Sequence, residues 1–203
     1  MTQNESSKTD ILLANPAPLG LLAFGMTTTM LNLSNAGFIP LDSVILSLGL
    51  LFGGIAQVIA GAFEFRKGNT FGMTAFISYG FFWICMVFIL SPAEFFGATA
   101  STPYVSTTSS LAAFLFLWGL FSLFMFLGTL RINGALMFVF GTLFILFFLL
   151  AAGFGWGNSD VLKFAGYEGT VCGLSAIYTA AAHVLNEVYK KTVLPIFPVG
   201  ARS

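Results

Sequence analysis

The stretch LMFVFGTLFILFFLLAAGF at residues 136–154 decides the fold class. It carries no charged side chain, and a bilayer-spanning helix needs about 20 apolar residues in a row. A membrane β-barrel would instead alternate apolar and polar positions over segments of about ten residues. Neither this stretch nor LFGGIAQVIAGAF at 51–63 alternates, so both read as helices. Charged residues mark where such runs end. Uncharged runs cover 11–41, 43–63, 68–93, 95–130 and 132–159, and a sixth lies between Lys163 and Glu187, interrupted by Glu168 and His183. The first half of the 95–130 run adjoins SPAEFFGATASTPYVSTTSS at 91–110, whose Ser, Thr, Pro and Gly read as a loop. Six transmembrane helices are therefore expected, near 18–37, 43–64, 70–91, 110–130, 134–155 and 163–187.

Composition agrees with an all-α membrane protein. Of 203 residues, 57% are apolar and only 8% are Asp, Glu, Lys or Arg, against about 25% charged residues in a soluble domain. Sixteen charges cannot coat a water-exposed surface of this size, so an ordinary soluble protein is excluded. The formal net charge of zero leaves no basic footprint for nucleic acid. Cys85 and Cys172 both sit in apolar runs and read as small buried hydrophobes. No motif calls for a cofactor, a metal or enzyme chemistry: there is no Walker loop, HExxH, CxxC or GxSxG. GFGWG at 153–157 follows an apolar span rather than a strand, so it reads as a turn ending helix five.

Lys and Arg set the orientation. Lys8, Arg66, Lys67, Arg131, Lys190, Lys191 and Arg202 fall on one side of the six-helix arrangement, and only Lys163 falls on the other. Both termini are expected in the cytoplasm. Residues 1–10, MTQNESSKTD, read as a disordered cytoplasmic N-terminus, 11–189 as the transmembrane domain and 190–203 as a cytoplasmic tail. The acids near the start and the short apolar stretch ILLA do not make a signal peptide.

Polar side chains inside the spans are the functional candidates, because lipid disfavours them. Glu168, Cys172, Ser175, Thr179 and Asn186 share one face of the last helix. Phe24, Thr28, Asn32 and Asn35 share one face of the first, and Gln57, Gly61 and Glu64 one face of the second. Two readings stand: the walls of a polar path, or hydrogen-bonding glue between helices. Gly49/Gly53 and Gly169/Gly173 have the GxxxG spacing that lets helix backbones approach closely. No Lys or Arg lies mid-span, so such a path would handle a small polar or weakly acidic solute without trapping it. Asn15 reads as a cap for the first helix, with Pro18 in its first turn, and GNT at 68–70 as the start of the third. His183 reads as a hydrogen-bonding residue near a helix end. Glu168 reads as reaching the interface or the outer mouth of a path, rather than as a proton carrier.

Several segments then match a known pattern: NPAPLGL at 15–21, GGIAQVIAG at 53–61, KGNTFGMTAFISYGFFW at 67–83, LWGLFSLFMFLGTL at 117–130, CGLSAIY at 172–178 and VLNEVYKKTVLPI at 184–196. In these the chain resembles the acetate uptake transporter family, and most of all its bacterial succinate–acetate transporters. The resemblance implies a six-helix protomer in a homohexamer of the plasma (inner) membrane, with a path in each protomer for acetate and succinate, proton-coupled or channel-like. It implies a constriction of one Phe, one Tyr and one Leu, falling here on Phe24, Tyr79 and Leu143, and it places Asn15, Gln57 and Glu64 near the route. Thr28, Asn32, Ser175 and Thr179 join the expected path through their helix faces. Glu168, His183, Asn158 and Asp160 map to no family motif. The alternative reading is a passive channel for urea or another small neutral solute.

Overall fold

The computed structural model of the chain describes residues 13–91 and 106–199. The expected disordered segment 1–10 and most of the expected outer loop lie outside the described residues. Among the described residues six helical elements follow one another: α1 (Ala17–Asn35), α2 (Ser43–Arg66), α3 (Thr70–Leu90), α4 (Thr108–Thr129), α5 (Gly134–Trp156) and α6 (Ser159–Tyr189). Their starts are chemically marked. Asp42, Asn69, Asn133 and Asn158 each accept a hydrogen bond from a first-turn amide of α2, α3, α5 and α6, and Thr107 forms a capping box with Ser110 at α4. Such bonds satisfy amides that have no partner within the helix. At α1 the N-cap position is taken by Pro16 rather than the expected Asn15, whose side chain still accepts from the Ala17 amide at 3.3 Å.

Four helices, α2 to α5, are long and apolar enough to cross a bilayer. The other two, α1 and α6, carry most of the polar residues and form the most extensive helix pair of the bundle. Around the bundle α4 packs on α5, α5 on α6, α6 on α1, and α2 on both α1 and α3; the α3 and α4 backbones barely approach each other. Aromatic side chains fill that gap. Phe82 meets Trp118 at 5.1 Å and Phe147 at 5.1 Å between ring centroids, and it stacks on Phe114 at 5.7 Å.

Both GxxxG pairs mark close approaches. A Cβ on Gly53 would lie 2.8 Å from Thr27 Oγ1 of α1, and one on Gly49 would lie 3.0 Å from Val87 of α3. Gly169 lies directly against the Asn32 side chain and Gly173 against Thr29, so α1 and α6 meet with almost no side chain between them.

Three further expectations need correction. The second helix is not a plain α-helix: Leu48–Ala56 is π-helical, between α-helical Ser43–Ser47 and Gln57–Arg66. The wider turn falls where Gly49, Gly53 and Gly54 press against α1 and α3. GFGWG is not itself a turn, since α5 runs on to Trp156 and ends at Gly157, whose φ of 63° is left-handed and suits glycine. Finally α6 begins at Ser159 rather than near 163, because Asn158 caps it.

Beyond α6 the chain turns back. Asn186 holds it, donating from Nδ2 to the Leu194 carbonyl at 2.8 Å and accepting from the Val193 and Leu194 amides at 2.6 and 3.0 Å. The Phe197 and Ile196 carbonyls accept from the Gly134 and Ala135 amides at the start of α5, at 2.8 and 3.1 Å. Asn186 thus fastens the tail and does not line a path. His183 is half-buried and makes no hydrogen bond among the described residues, so its expected bonding role falls to Asn186.

Candidate permeation path

Helices α1, α2, α3 and α5 bring four expected residues together. Phe24, Gln57, Tyr79 and Leu143 line one cavity of about 20 Å³ at the centre of the bundle, with Phe76 and Phe140. That volume holds about one water. The wall is apolar except for Gln57, which is buried and whose Oε1 has no hydrogen-bond partner among the described residues. No lysine or arginine lines it.

Tyr79 is the hub. It is 2% exposed and its ring lies 5.8 Å from Phe24, 5.8 Å from Trp118, 5.4 Å from Phe121 and 6.1 Å from Phe140. Edge-to-face and tilted arrangements of this kind are favoured by the ring quadrupoles. Its hydroxyl crosses the gap to α4 and shares a 2.8 Å hydrogen bond with Ser122 Oγ, which is fully buried. This one polar contact ties α3 to α4 where their backbones stand apart. Ser122 and the flanking Trp118 and Phe121 escaped the sequence reading. The available signal was a lone hydroxyl inside LFSLFMF.

The remaining expected path residues divide into two groups. Asn15 and Glu64 stand where α1 meets the α2–α3 turn. Lys67 Nζ donates to Asn15 Oδ1 at 3.1 Å, and Asn69 Nδ2 donates to the buried Glu64 Oε2 at 2.8 Å. Glu64 Oε1 is enclosed and has no partner among the described residues. Beside them an open pocket of about 520 Å³ is lined by Leu13, Asn15, Leu19, Phe63, Arg66 and Lys67. Thr28, Asn32, Ser175 and Thr179 lie in or beside the α1–α6 seam instead. Asn32 Nδ2 donates to its own helix at the Thr28 carbonyl, 2.9 Å away. Ser175 and Thr179 likewise bond carbonyls of α6, at 2.7 and 2.8 Å. Thr28 Oγ1 has no partner among the described residues. None of these four lines the central cavity; for three of them the packing reading accounts for every bond observed.

An apolar helical bundle with four spans long enough to cross a bilayer and a buried, cation-free cavity at its aromatic centre is the architecture of a multi-pass membrane protein. The sequence pattern of the GPR1/FUN34/yaaH family matches residues 2–200, and the chain belongs to that family. It is 53% identical over 184 residues to the succinate-acetate/proton symporter SatP of Escherichia coli (strain K12), covering 91% of this chain and 95% of that protein. It is 35% identical over 195 residues to acetate permease A of Emericella nidulans, covering 90% of this chain and 65% of that one. A solved structure of the bacterial acetate channel SatP superposes with a TM-score of 0.86 at 52% identity, covering 91% of this chain and 99% of that one.

Proposed function

We propose that this protein moves small carboxylates, acetate and also succinate, across the inner membrane through a narrow route in each protomer. Phe24, Tyr79 and Leu143 form its constriction, with Gln57 as the polar contact there. All six helices cross the bilayer, both termini face the cytoplasm, and the protomers assemble as a homohexamer. The observation that carries the reading is the central cavity, where three side chains from three helices close around the buried amide of Gln57. The seven-to-one distribution of Lys and Arg supports the orientation. The transport functions of the relatives support the substrate class.

The physics of the constriction favours proton coupling. A free carboxyl titrates at roughly pH 4 to 5, so acetate is ionised at neutral pH. Burying that charge in an apolar neck without a partner is costly, and a proton carried along removes it. The cavity takes only a water-sized guest, so the structure corresponds to a closed route and the rings must part for passage. Asn15, Glu64, Arg66 and Lys67 form the cytoplasmic approach, with Thr28, whose hydroxyl is unbonded among the described residues, on the α1–α6 side.

Labelled-acetate uptake into proteoliposomes, with and without an imposed pH gradient, tests the proposal. Expected is saturable uptake blocked by propionate and driven uphill when the exterior is acid. Flux that saturates but never accumulates would assign facilitated diffusion. Acetate flux at the lipid background with rapid urea flux would refute the carboxylate reading in favour of a neutral-solute channel.

A further inference from the structure

Glu168 stands on α6 between the fully buried Ala165 and Cys172, about two and a half turns into the helix at 3.6 residues per turn. Its stem is half-buried, yet both carboxyl oxygens are enclosed and neither has a hydrogen-bond partner among the described residues. It therefore does not reach water at an outer mouth, contrary to the expectation from sequence. Glu64, the other buried acid, differs in having one oxygen held by Asn69.

The position of Glu168 follows from the register of α6 against the antiparallel α5. Cys172 Sγ reaches the Val139 carbonyl at 3.6 Å, so one turn back along α6 brings Glu168 level with Leu143, a residue that lines the central cavity. Titratable neighbours are few. On α6, Cys172 is one turn away, and Asp160 and Lys163 are exposed. On α3, Tyr79 is engaged by Ser122. The nearest polar side chains of α1 and α5, Asn32 and Thr142, are neutral. His183 keeps company with Glu64, Lys67 and Glu187 at the far end of α6. A carboxylate so enclosed meets a desolvation cost that no cation among the described residues offsets, whereas the neutral acid avoids it.

We propose that Glu168 is a proton site of the route, holding the neutral acid while the bundle is closed and exchanging its proton with the substrate when the neck at Leu143 opens. This rests on the carboxylate-transport reading above. In the exchange the glutamic O–H bond breaks and an O–H bond forms on the passing carboxylate. The substrate crosses the neck as a neutral acid, the charge stays on Glu168, and water from the outer side returns the proton.

The test uses the full chain, wild type and Glu168→Gln, reconstituted in liposomes. Infrared spectra at neutral pH should show a protonated-carboxyl C=O stretch in the wild type that Glu168→Gln loses. In flux assays Glu168→Gln should lose acid-driven accumulation of labelled acetate and slow acetate exchange at equal pH. An unchanged infrared band, or accumulation equal to the wild type, overturns the proposal. Should Glu168→Gln fail to reconstitute, Glu168→Asp serves: it should keep the band and shift the pH at which uptake is half-maximal, and an unshifted profile would overturn the proposal. Wild-type liposomes without acetate flux refute the transport reading instead, and the infrared band alone then judges Glu168.

Discussion

Removing the hydroxyl of Ser122 probes how the neck is held shut. The Tyr79–Ser122 bond at 2.8 Å is the polar tie between α3 and α4, and both partners are buried. Ser122→Ala takes away the hydrogen-bond partner of the Tyr79 hydroxyl, on a buried ring packed among Phe24, Trp118, Phe121 and Phe140. An orphaned buried hydroxyl costs about 1–3 kcal/mol. Tyr79→Phe is milder, because the Ser122 hydroxyl can turn to the carbonyl four residues back on its own helix; its cost should stay under about 1 kcal/mol. The double variant, lacking both hydroxyls, should resemble Tyr79→Phe, so the two substitutions are not additive. If the tie stabilises the closed arrangement over the open one, losing about 1–2 kcal/mol raises the open population by roughly 5–30-fold. Thermal unfolding of the detergent-solubilised protein, followed by tryptophan fluorescence, reads the stability order. Acetate leak from loaded proteoliposomes at equal pH reads the closure. The reasoning fails if Ser122→Ala is no more destabilising than Tyr79→Phe and the cycle is additive within about 0.5 kcal/mol.

Other substitutions test other parts of the molecule. Leu143→Ala should cost about 2–5 kcal/mol as a buried truncation and admit larger acids, seen as stronger inhibition of acetate uptake by butyrate; an unchanged inhibition profile counts against Leu143 in the neck. Phe24→Ala should speed acetate leak at equal pH, and a wild-type leak rate would remove Phe24 from the gate. Gly169→Leu places a side chain where Asn32 sits, and it should abolish recovery of folded protein in size-exclusion chromatography; normal recovery would show that α1 and α6 are not closely packed. Asn186→Ala removes three hydrogen bonds that hold the tail, so trypsin should cut faster after Lys190 and Lys191, and unaltered cleavage would mean that the α5 contacts suffice.

The all-helical, membrane-spanning character was legible because the signal is global: long uncharged runs read as spanning helices in a chain with so few charges. Helix starts were legible where a capping side chain stands alone before a run, as Asn69 does. The π-helical part of α2 was not legible, since in LGLLFGGIA nearly every position is apolar and no face distinguishes one helical period from another. The folded tail was hidden for a different reason. It depends on Asn186 meeting residues seven and eight positions on and on free amides of α5, a meeting that no local pattern announces. In the site, the helix faces of Phe24 and Gln57 were found from spacing, while Tyr79 and Leu143 came from the family resemblance and lie in wholly apolar surroundings. Periodicity correctly put Ser175 and Thr179 on the inner side of α6. It gave no sign that their hydroxyls turn back to their own helix.

That last distinction sorts the interior polar groups more sharply than a helical face does. Thr27, Thr29, Thr170, Ser175 and Thr179 each donate to a carbonyl three or four residues earlier, a bond that costs a helix little and serves packing in apolar surroundings. Thr28 Oγ1, Gln57 Oε1 and Trp83 Nε1 are enclosed without such a partner among the described residues, and each bears a penalty of about 1–3 kcal/mol. Nothing in packing requires that penalty, since apolar side chains of similar shape would fill the same space. A permeating solute does require it: a hydrated acid entering the neck needs donors and acceptors that are not already bonded to the wall. Gln57, on the cavity itself, meets this condition most directly. In the proposed route the unbonded subset, rather than the full polar stripe, supplies these groups, with the aromatic cluster around Tyr79 keeping water out until the rings part.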